Sequence, residues 1–170
     1  MTSALMLAAG LIQQHYNLRM PELLEDPVEI DDPYNLERFV TAQNAGGSYE
    51  HAVEELRRGH KTSHWMWYVF PQIAGLGQSQ MSRTYAIASL DEAKAYLRHP
   101  VLGPRLIECA RSVANVKART AEQILGHIDA QKLHSSMTLF VRAEPTEPLF
   151  QQLLDRYFDG VPDAQTDERL

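Results

Sequence analysis

The spacing of apolar residues along the chain predicts a series of short helices. Leu36, Phe39 and Val40 lie three and four positions apart after Asp32 and Pro33, a pattern typical of an N-capped helix with proline in its first turn. The same period recurs in the stripes Ala52, Val53, Leu56; Leu102, Leu106, Ile107, Ala110, Val113; Leu133, Met137, Phe140; and Leu149, Phe150, Leu153, Leu154. Period-two alternation is nearly absent, and only residues 65–70 resemble a buried strand or a buried helical turn. The pattern therefore predicts an all-α fold of six to seven short helices.

Capping signals mark where several of these helices begin. Ser89 with Glu92 and Thr120 with Gln123 have the spacing of capping boxes, and Pro148 follows Glu147 at a predicted helix start. Asp129 is a candidate cap for the helix that carries Leu133. These local signals place most helices between Asp32 and the end of the chain.

Proline and acidic residues set the beginning of the chain apart. Pro21 and Pro27 interrupt an acidic run, which predicts a solvated connector. We therefore expect residues 1–31 to form an N-terminal extension and residues 32–170 to form one compact domain. The apolar stretch 4–12 has no Lys or Arg before it, which favours a short helix over a secretory signal.

Composition narrows the classes of function. The chain of 170 residues has 16 basic and 22 acidic residues and a net charge of −6, which argues against general nucleic-acid binding. No apolar stretch has the length of a membrane span, and a single cysteine, Cys109, permits neither an internal disulfide nor a cysteine-based zinc site. We expect a cytoplasmic protein without a metal or a cofactor.

One segment concentrates the aromatic residues. Residues 64–72 (HWMWYVFPQ) hold both tryptophans, although aromatics make up only 8% of the chain. The segment predicts either a packed aromatic core or the wall of a pocket that stacks a flat ring. For the pocket, the expected ligand-binding residues are Lys61, Ser63, His64, Trp65, Trp67, Tyr68, Gln72, Gly75, Gly77, Tyr85, Lys132 and Ser136.

Three residues near these motifs are candidates for acid–base chemistry, namely His64, Glu92 and Asp129. His60 and His64 have the spacing of a metal-binding pair on a helix, but two ligands do not make a site. Lys132 and Ser136 have the spacing of a Ser–Lys nucleophile pair, which on a helix surface is usually coincidental.

Six motifs, taken together, closely resemble the domain-of-unknown-function 1810 family, small bacterial proteins sometimes mislabelled calpastatin. They are HWMW at 64–67, FPQ at 70–72, GLG at 75–77, YAI at 85–87, HPVLGPRL at 99–106 and SSMTLF at 135–140. The resemblance runs from Asp32 to Leu170 and implies an all-helical domain without an assigned activity. The extension before Asp32 departs from the family's compact form.

A weaker resemblance, in the layout of the helices and the segment 92–94, is to the NADAR family. It implies a nucleotide-like ligand and hydrolysis of N-glycosidic bonds in ADP-ribose-like compounds. Two alternatives stand beside this hypothesis: a non-catalytic binding or regulatory module that docks a protein partner, and an interface in the extension with both tryptophans in the core. The sequence identifies no protein partner and leaves these three open.

Overall fold

The computed structural model describes residues 31–170, and ten α-helices make up most of this part of the chain. In chain order they are α1 (Glu37–Asn44), α2 (Ser48–Arg58), α3 (Met66–Val69), α4 (Gln80–Thr84), α5 (Leu90–Arg98), α6 (Leu102–Asn115), α7 (Ala121–Leu125), α8 (His127–Ala143), α9 (Pro148–Tyr157) and α10 (Ala164–Asp167), with a 3₁₀ turn at Ala45–Gly47. No named strand occurs within 31–170, so the all-α prediction is confirmed. The predicted extension, including the helix at 4–12, lies outside the described residues.

The predicted helices correspond to α1, α2 and α5 to α9. The remaining three, α3, α4 and α10, are only four or five residues long, too short for a periodic pattern to show. Residues 65–70 contain α3 and not a strand. No helix within residues 31–170 is both long and apolar enough to cross a membrane.

Two long helices, α6 and α8, organise the core. Helix α8 packs against α5, α7 and α9, while α6 packs against α2, α5 and α9. The ring of Phe140 on α8 lies 5.6 Å from the rings of both Tyr96 and Phe150. Each fully buried side chain of this size contributes about 2 kcal/mol of transfer free energy. The position of α8 is therefore fixed by its apolar face, and its polar first turns are free to carry other groups.

The capping predictions differ in outcome. Thr120 and Gln123 form the predicted capping box, and Glu147 caps α9 with Pro148 in its first turn. The prediction of a helix at Pro33 is wrong: α1 begins at Glu37, because Asn35 has a φ of 51° and interrupts the helical path. Asp32 instead accepts hydrogen bonds from the amides of Leu36 and Glu37.

A short backbone pairing holds the loop that follows α3. Ile73 and Ile87 form an isolated parallel bridge, in which the amide of Ala74 donates to Ile87 (2.8 Å) and that of Ile87 to Gln72 (2.9 Å). Both isoleucines are buried, so the bridge also anchors the loop to the core. Because the carbonyl of Gln72 accepts one of these hydrogen bonds, the backbone at Gln72 is held in place.

Candidate functional site

Three predicted site residues meet in one ion-paired group, here called the lysine–aspartate cluster: Lys61, Asp129 and Lys132. The Nζ atom of Lys61 lies 2.7 Å from one carboxylate oxygen of Asp129, and Nζ of Lys132 lies 2.8 Å from the other. Lys61 also donates to the carbonyl of Ser63 at 2.6 Å. The Lys61 side chain is 7% exposed and that of Lys132 is 17% exposed. One carboxylate thus serves two poorly hydrated cations.

The first turns of α8 bring this cluster together. Gly126, with a φ of 85°, occupies the N-cap position of α8, so the prediction that Asp129 caps the helix is wrong. Asp129 and Lys132 instead share one face at a spacing of three. The amide of Lys61 donates to the carbonyl of Ile124 at 2.8 Å, which holds the loop after α2 against the end of α7.

Hydrogen bonding keeps Asp129 ionised. Burial raises the pKa of this carboxyl, but hydrogen bonds from Lys132 and Lys61 outweigh that effect and hold the pKa below its ordinary value. Asp129 is therefore a carboxylate at neutral pH, and a weak base.

Each lysine of the cluster lies over a tryptophan. Nζ of Lys61 is 4.9 Å from the ring centre of Trp65, and Nζ of Lys132 is 4.5 Å from that of Trp67. Trp65 is 1% exposed and belongs to the core, whereas Trp67 is half-buried. The two readings of the aromatic segment therefore apply to different residues: Trp65 packs the interior, and Trp67 accompanies Lys132 at its edge.

Glu55, which belongs to none of the motifs in the sequence, holds the loop that leads to the tryptophans. Its carboxylate accepts the amide and hydroxyl protons of Thr62 (2.9 and 2.7 Å) and of Ser63 (3.1 and 2.7 Å). The indole N–H of Trp65 completes the set at 2.8 Å. Although burial raises the pKa of Glu55, these bonds lower it to about 2. The available signal was its place three residues after Ala52, within the buried stripe of α2.

A cavity of about 500 Å³, here called the amide-lined cavity, lies beside the cluster. Its lining residues are Gln72, Leu76, Gly77, Ile128, Gln131, Lys132, His134, Ser135, Asp163 and Gln165. Of the predicted ligand-binding residues, Gln72, Gly77 and Lys132 are thus brought to one cavity. Gln131 and Gln165 were not predicted, because single glutamines on a helix surface carry no sequence signal.

The far wall of the cavity comes from the end of the chain. Asp163 accepts a hydrogen bond from the hydroxyl of Ser135 (2.9 Å) and caps α10 through Thr166. Burial raises the pKa of Asp163, but hydrogen bonds from Thr166 and Ser135 lower it further. A two-pronged ion pair between Arg142 and Asp167 (2.9 Å) fixes α10 to α8.

The two predicted glycines serve local packing. A Cβ atom on Gly77 would lie 2.5 Å from the Cβ atom of Ser82, so this position requires glycine for the approach of α4. Gly75 has a φ of 91°, and a Cβ atom there would lie 3.2 Å from the side chain of Arg169. The close approach expected at these two glycines is thus an approach of Ser82 and Arg169 of the same chain. Ligand binding by Gly75 and Gly77 stays a prediction.

Other predicted ligand-binding residues lie elsewhere. The hydroxyl of Tyr68 lies 2.7 Å from that of Ser48, and its ring is 5.3 Å from Tyr85, which packs toward α1. Neither tyrosine lines the amide-lined cavity. The side chain of His64 is exposed and has no hydrogen bond within residues 31–170. Ligand binding by these residues stays a prediction.

Glu92 has a structural environment. Its carboxylate pairs with Arg38 at 2.6 Å and accepts the amide of Ala88 at 2.7 Å. Arg38 also donates to the carbonyl of Ala86 (2.8 Å), so the pair fastens α1 to the loop before α5. Both carboxylate oxygens of Glu92 are thus engaged within the fold, and the residue is only 3% exposed; a catalytic role for Glu92 stays a prediction.

Two smaller motifs have equally clear positions. His60 follows Gly59, the C-cap of α2, and is not helical, so His60 and His64 do not share a helix face. Among residues 31–170, no three His, Cys, Asp or Glu side chains are grouped to hold a metal ion. The hydroxyl of Ser136 is fully buried and has no hydrogen-bond partner in the described part of the chain, and hence none from Lys132.

Comparisons with known proteins give two matches. Residues 33–170 match the family model described as "Protein of unknown function (DUF1810)". The fold is similar to the crystal structure, at 1.38 Å, of the conserved hypothetical protein Rv1873 from Mycobacterium tuberculosis. That match has 50% sequence identity and a TM-score of 0.79, and it covers 82% of this chain and 98% of the other. No curated protein matches the chain, and the matches do not extend to the NADAR family.

Proposed function

The chain belongs to the DUF1810 family of proteins of unknown function, and from that premise we propose that it binds a nucleotide-like small molecule in the amide-lined cavity. One observation carries the proposal. Gln72 and Lys132, which lie far apart in the sequence, line the same cavity of about 500 Å³. The ammonium group of Lys132 also lies over the ring of Trp67. Cavities that hold small molecules are typically about 300–1,000 Å³ in volume.

The lining suits the polar edge of a heteroaromatic base. Gln72, Gln131 and Gln165 each offer an amide with donors and an acceptor, which is the pattern that pairs with ring nitrogens and exocyclic groups. Leu76 and Ile128 provide apolar surface for the face of a ring. Ile128 is 67% exposed, so burying it against a ligand would remove apolar surface from water.

The charge of the cluster suits an anionic group on the ligand. Two ammonium groups share the carboxylate of Asp129, so the lysine–aspartate cluster has a net charge of +1, whereas the carboxylate of Asp163 on the far wall of the cavity accepts hydrogen bonds from Ser135 and Thr166. Among the described residues, Lys132 has a hydrogen bond to Asp129 alone, and it lines the cavity, so two of its three N–H donors are open to a phosphate oxygen.

The same charges favour binding over N-glycosidic cleavage of an ADP-ribose-like ligand. Cleavage of a glycosidic bond develops positive charge on the sugar, which two nearby ammonium groups oppose. Asp129, whose pKa is lowered, is a weak base for activating water. Hydrolysis is therefore the second candidate, resting on Asp129 as the one predicted carboxylate within the cluster.

Tryptophan fluorescence and calorimetry with adenosine, AMP and ADP-ribose test the proposal. We expect saturable binding of AMP and ADP-ribose, with a change in Trp67 emission, and weaker binding of adenosine. Lys132→Met should abolish the preference for the phosphate-bearing compounds. Lys94→Met alters a half-buried lysine outside the cavity lining, whose one ion pair within residues 31–170 is with Asp91 at 3.6 Å, and this variant should bind like the unchanged chain.

Two outcomes contradict the proposal: no saturable binding by any compound, or equal affinities for the Lys132→Met chain and the unchanged chain. Far-ultraviolet circular dichroism of each variant separates lost binding from lost fold. Chromatography of the same mixtures decides between binding and hydrolysis, because cleavage would release a free base.

A further inference from the structure

A second cavity, here called the α2–α6 groove, has about 590 Å³ of volume and no residue in common with the amide-lined cavity. It is lined by Arg57, Pro104, Ile107, Glu108, Arg111, Ser112 and Asn115. All but Arg57 lie on one face of α6, and Arg57 reaches the groove from the last turn of α2.

The single acidic residue of the groove is committed to α2. One carboxylate oxygen of Glu108 accepts the phenolic hydrogen bond of Tyr49, and the other accepts a hydrogen bond from Arg57 at 2.8 Å. Because both oxygens face α2, Glu108 does not pair with Arg111, although a spacing of three on one helix would allow it. Burial and the bond to Glu108 raise the pKa of Tyr49, so the phenol remains a neutral donor.

Within the part of the chain that the structure describes, Arg111 is therefore a cation without a counter-charge. It is exposed and forms no ion pair or hydrogen bond within residues 31–170. Arg57, Arg111 and Glu108 give the groove a net charge of +1, in a chain whose overall net charge is −6. The guanidinium group stays charged at all accessible pH values and presents a planar fork that matches an oxyanion.

Apolar surface lies beside this cation. Pro104 is exposed and Ile107 is half-buried, each about one helical turn from the next lining residue. Asn115 adds a polar side chain on the side of Arg111 away from Pro104, whereas the hydroxyl of Ser112 donates to the carbonyl of Glu108 at 2.9 Å. The groove thus combines an unpaired guanidinium with an apolar floor.

We propose that the α2–α6 groove is a second binding site, which takes a small organic oxyanion, a carboxylate or a phosphate monoester, with an apolar body. Arg111 holds the oxyanion through its paired N–H donors. Arg57, whose side chain is 65% exposed, also lines the groove, where Glu108 offsets its charge, so Arg111 carries the net positive charge of the groove. The apolar body lies on Ile107 and Pro104.

The test is heteronuclear NMR of the full ¹⁵N-labelled chain, titrated with phenyl phosphate, phenylacetate and benzyl alcohol as probes. We expect saturable shifts of backbone amides near 107–115 with the two anions and none with the neutral alcohol. The indole N–H signals of Trp65 and Trp67 should stay in place, because Trp65 lies in the core, Trp67 lies beside Lys132, and neither ring lines the groove. Binding of only one anion would identify which oxyanion the groove takes.

Three variants make the test specific. Arg111→Ala should weaken anion binding about tenfold or more, the loss expected for a charge-assisted hydrogen bond. Arg111→Lys keeps the charge without the fork and should give an intermediate affinity. Arg98→Ala, which removes an exposed arginine at the end of α5, is the matched control and should change nothing.

The proposal is overturned if neither anion gives saturable shifts, if benzyl alcohol binds as well, or if Arg111→Ala binds like the unchanged chain. Shifts confined to Gln72, Lys132 and the indoles would overturn it as well and would place the anion in the amide-lined cavity. Lys132→Met should leave binding in the groove intact, so failure of one site is distinguishable from failure of the other.

Discussion

Glu55 and Asp129 hold the two ends of the same segment, residues 61–65, in different ways. Glu55 accepts its hydrogen bonds from neutral donors, all of which lie within the segment, and is only 4% exposed. Asp129 is shared by two cations, one of which also lines a cavity. This difference indicates different roles. The carboxylate of Glu55 is satisfied by neutral donors and stabilises the fold, whereas Asp129 lies between two cations and leaves a net positive charge for a ligand.

The largest expected effect is the loss of stability when the carboxylate of Glu55 is removed. Glu55→Ala should lower the free energy of unfolding by about 4 kcal/mol, because it leaves the buried donors of Thr62, Ser63 and Trp65 without an acceptor. Urea denaturation followed by circular dichroism measures the loss. Glu54→Ala is the control and should cost less than about 0.5 kcal/mol, since Glu54 is exposed and its one ion pair in the described part of the chain is with Arg58 at 3.8 Å. Equal stabilities would contradict the role of Glu55.

The stability that the carboxylate of Glu55 provides should decrease at acidic pH. The pKa of Glu55 is about 2 in the folded chain against an ordinary value of 4.5, so the stability it provides is complete above pH 4.5 and is lost as pH falls toward 2. A difference of this size corresponds to about 3 kcal/mol. The stability difference between the unchanged chain and Glu55→Gln should therefore narrow over this range. A difference that stays constant with pH would show that Glu55 is not held ionised by its partners.

A smaller loss of stability is expected when the charge of Asp129 is removed. Asp129→Asn leaves Lys61 and Lys132 without their shared counter-charge and should cost about 2 kcal/mol. Thermal denaturation at neutral pH measures it, with Asp91→Asn as the control, because Asp91 is exposed and its lysine partner is 3.6 Å away. A cost as large as that of Glu55→Ala would mean that the cluster is chiefly structural.

The smallest effect has the opposite sign. Ser136 lies on the same helix as Asp129, and its buried hydroxyl has no partner among the described residues. Ser136→Ala should therefore raise stability by up to about 1 kcal/mol, because it removes an unpaired buried polar group. Ser135→Ala, one residue earlier, should lower stability by about 1 kcal/mol, since it breaks the bond to Asp163 at 2.9 Å. A loss in both variants would indicate a bound group at Ser136.

Local features of the fold were predictable because their partners lie close by in sequence. The capping box of Thr120 and Gln123 needs residues only three positions apart, and it is present. The start of α1 was not predictable in the same way, because the left-handed conformation of Asn35 has no pattern in the surrounding residues. The helices of eight or more residues followed from periodicity, whereas the start of α1 depended on a single dihedral angle.

The site was predictable only in part, for a related reason. Lys61, Asp129 and Lys132 were each singled out from their motifs, but their meeting depends on the packing of α7 and α8. Trp65 and Trp67 are separated by one residue, and nothing in the sequence tells which of them is buried. The groove on α6 was not predicted, because the sequence does not show that Glu108 binds Tyr49 and Arg57 and leaves Arg111 without an ion pair among the described residues.

The hydrogen bonds of Glu55 also bear on the order in which the chain folds. Their donors follow within about ten residues, so closing that loop costs little conformational entropy, and the segment 55–65 can form before distant parts of the chain meet. The pairing of Lys61 with Asp129 must wait until α8 has docked. A molecule that occupies the completed cavity would then act after the folding barrier, lengthening the lifetime of the native state without hastening its formation.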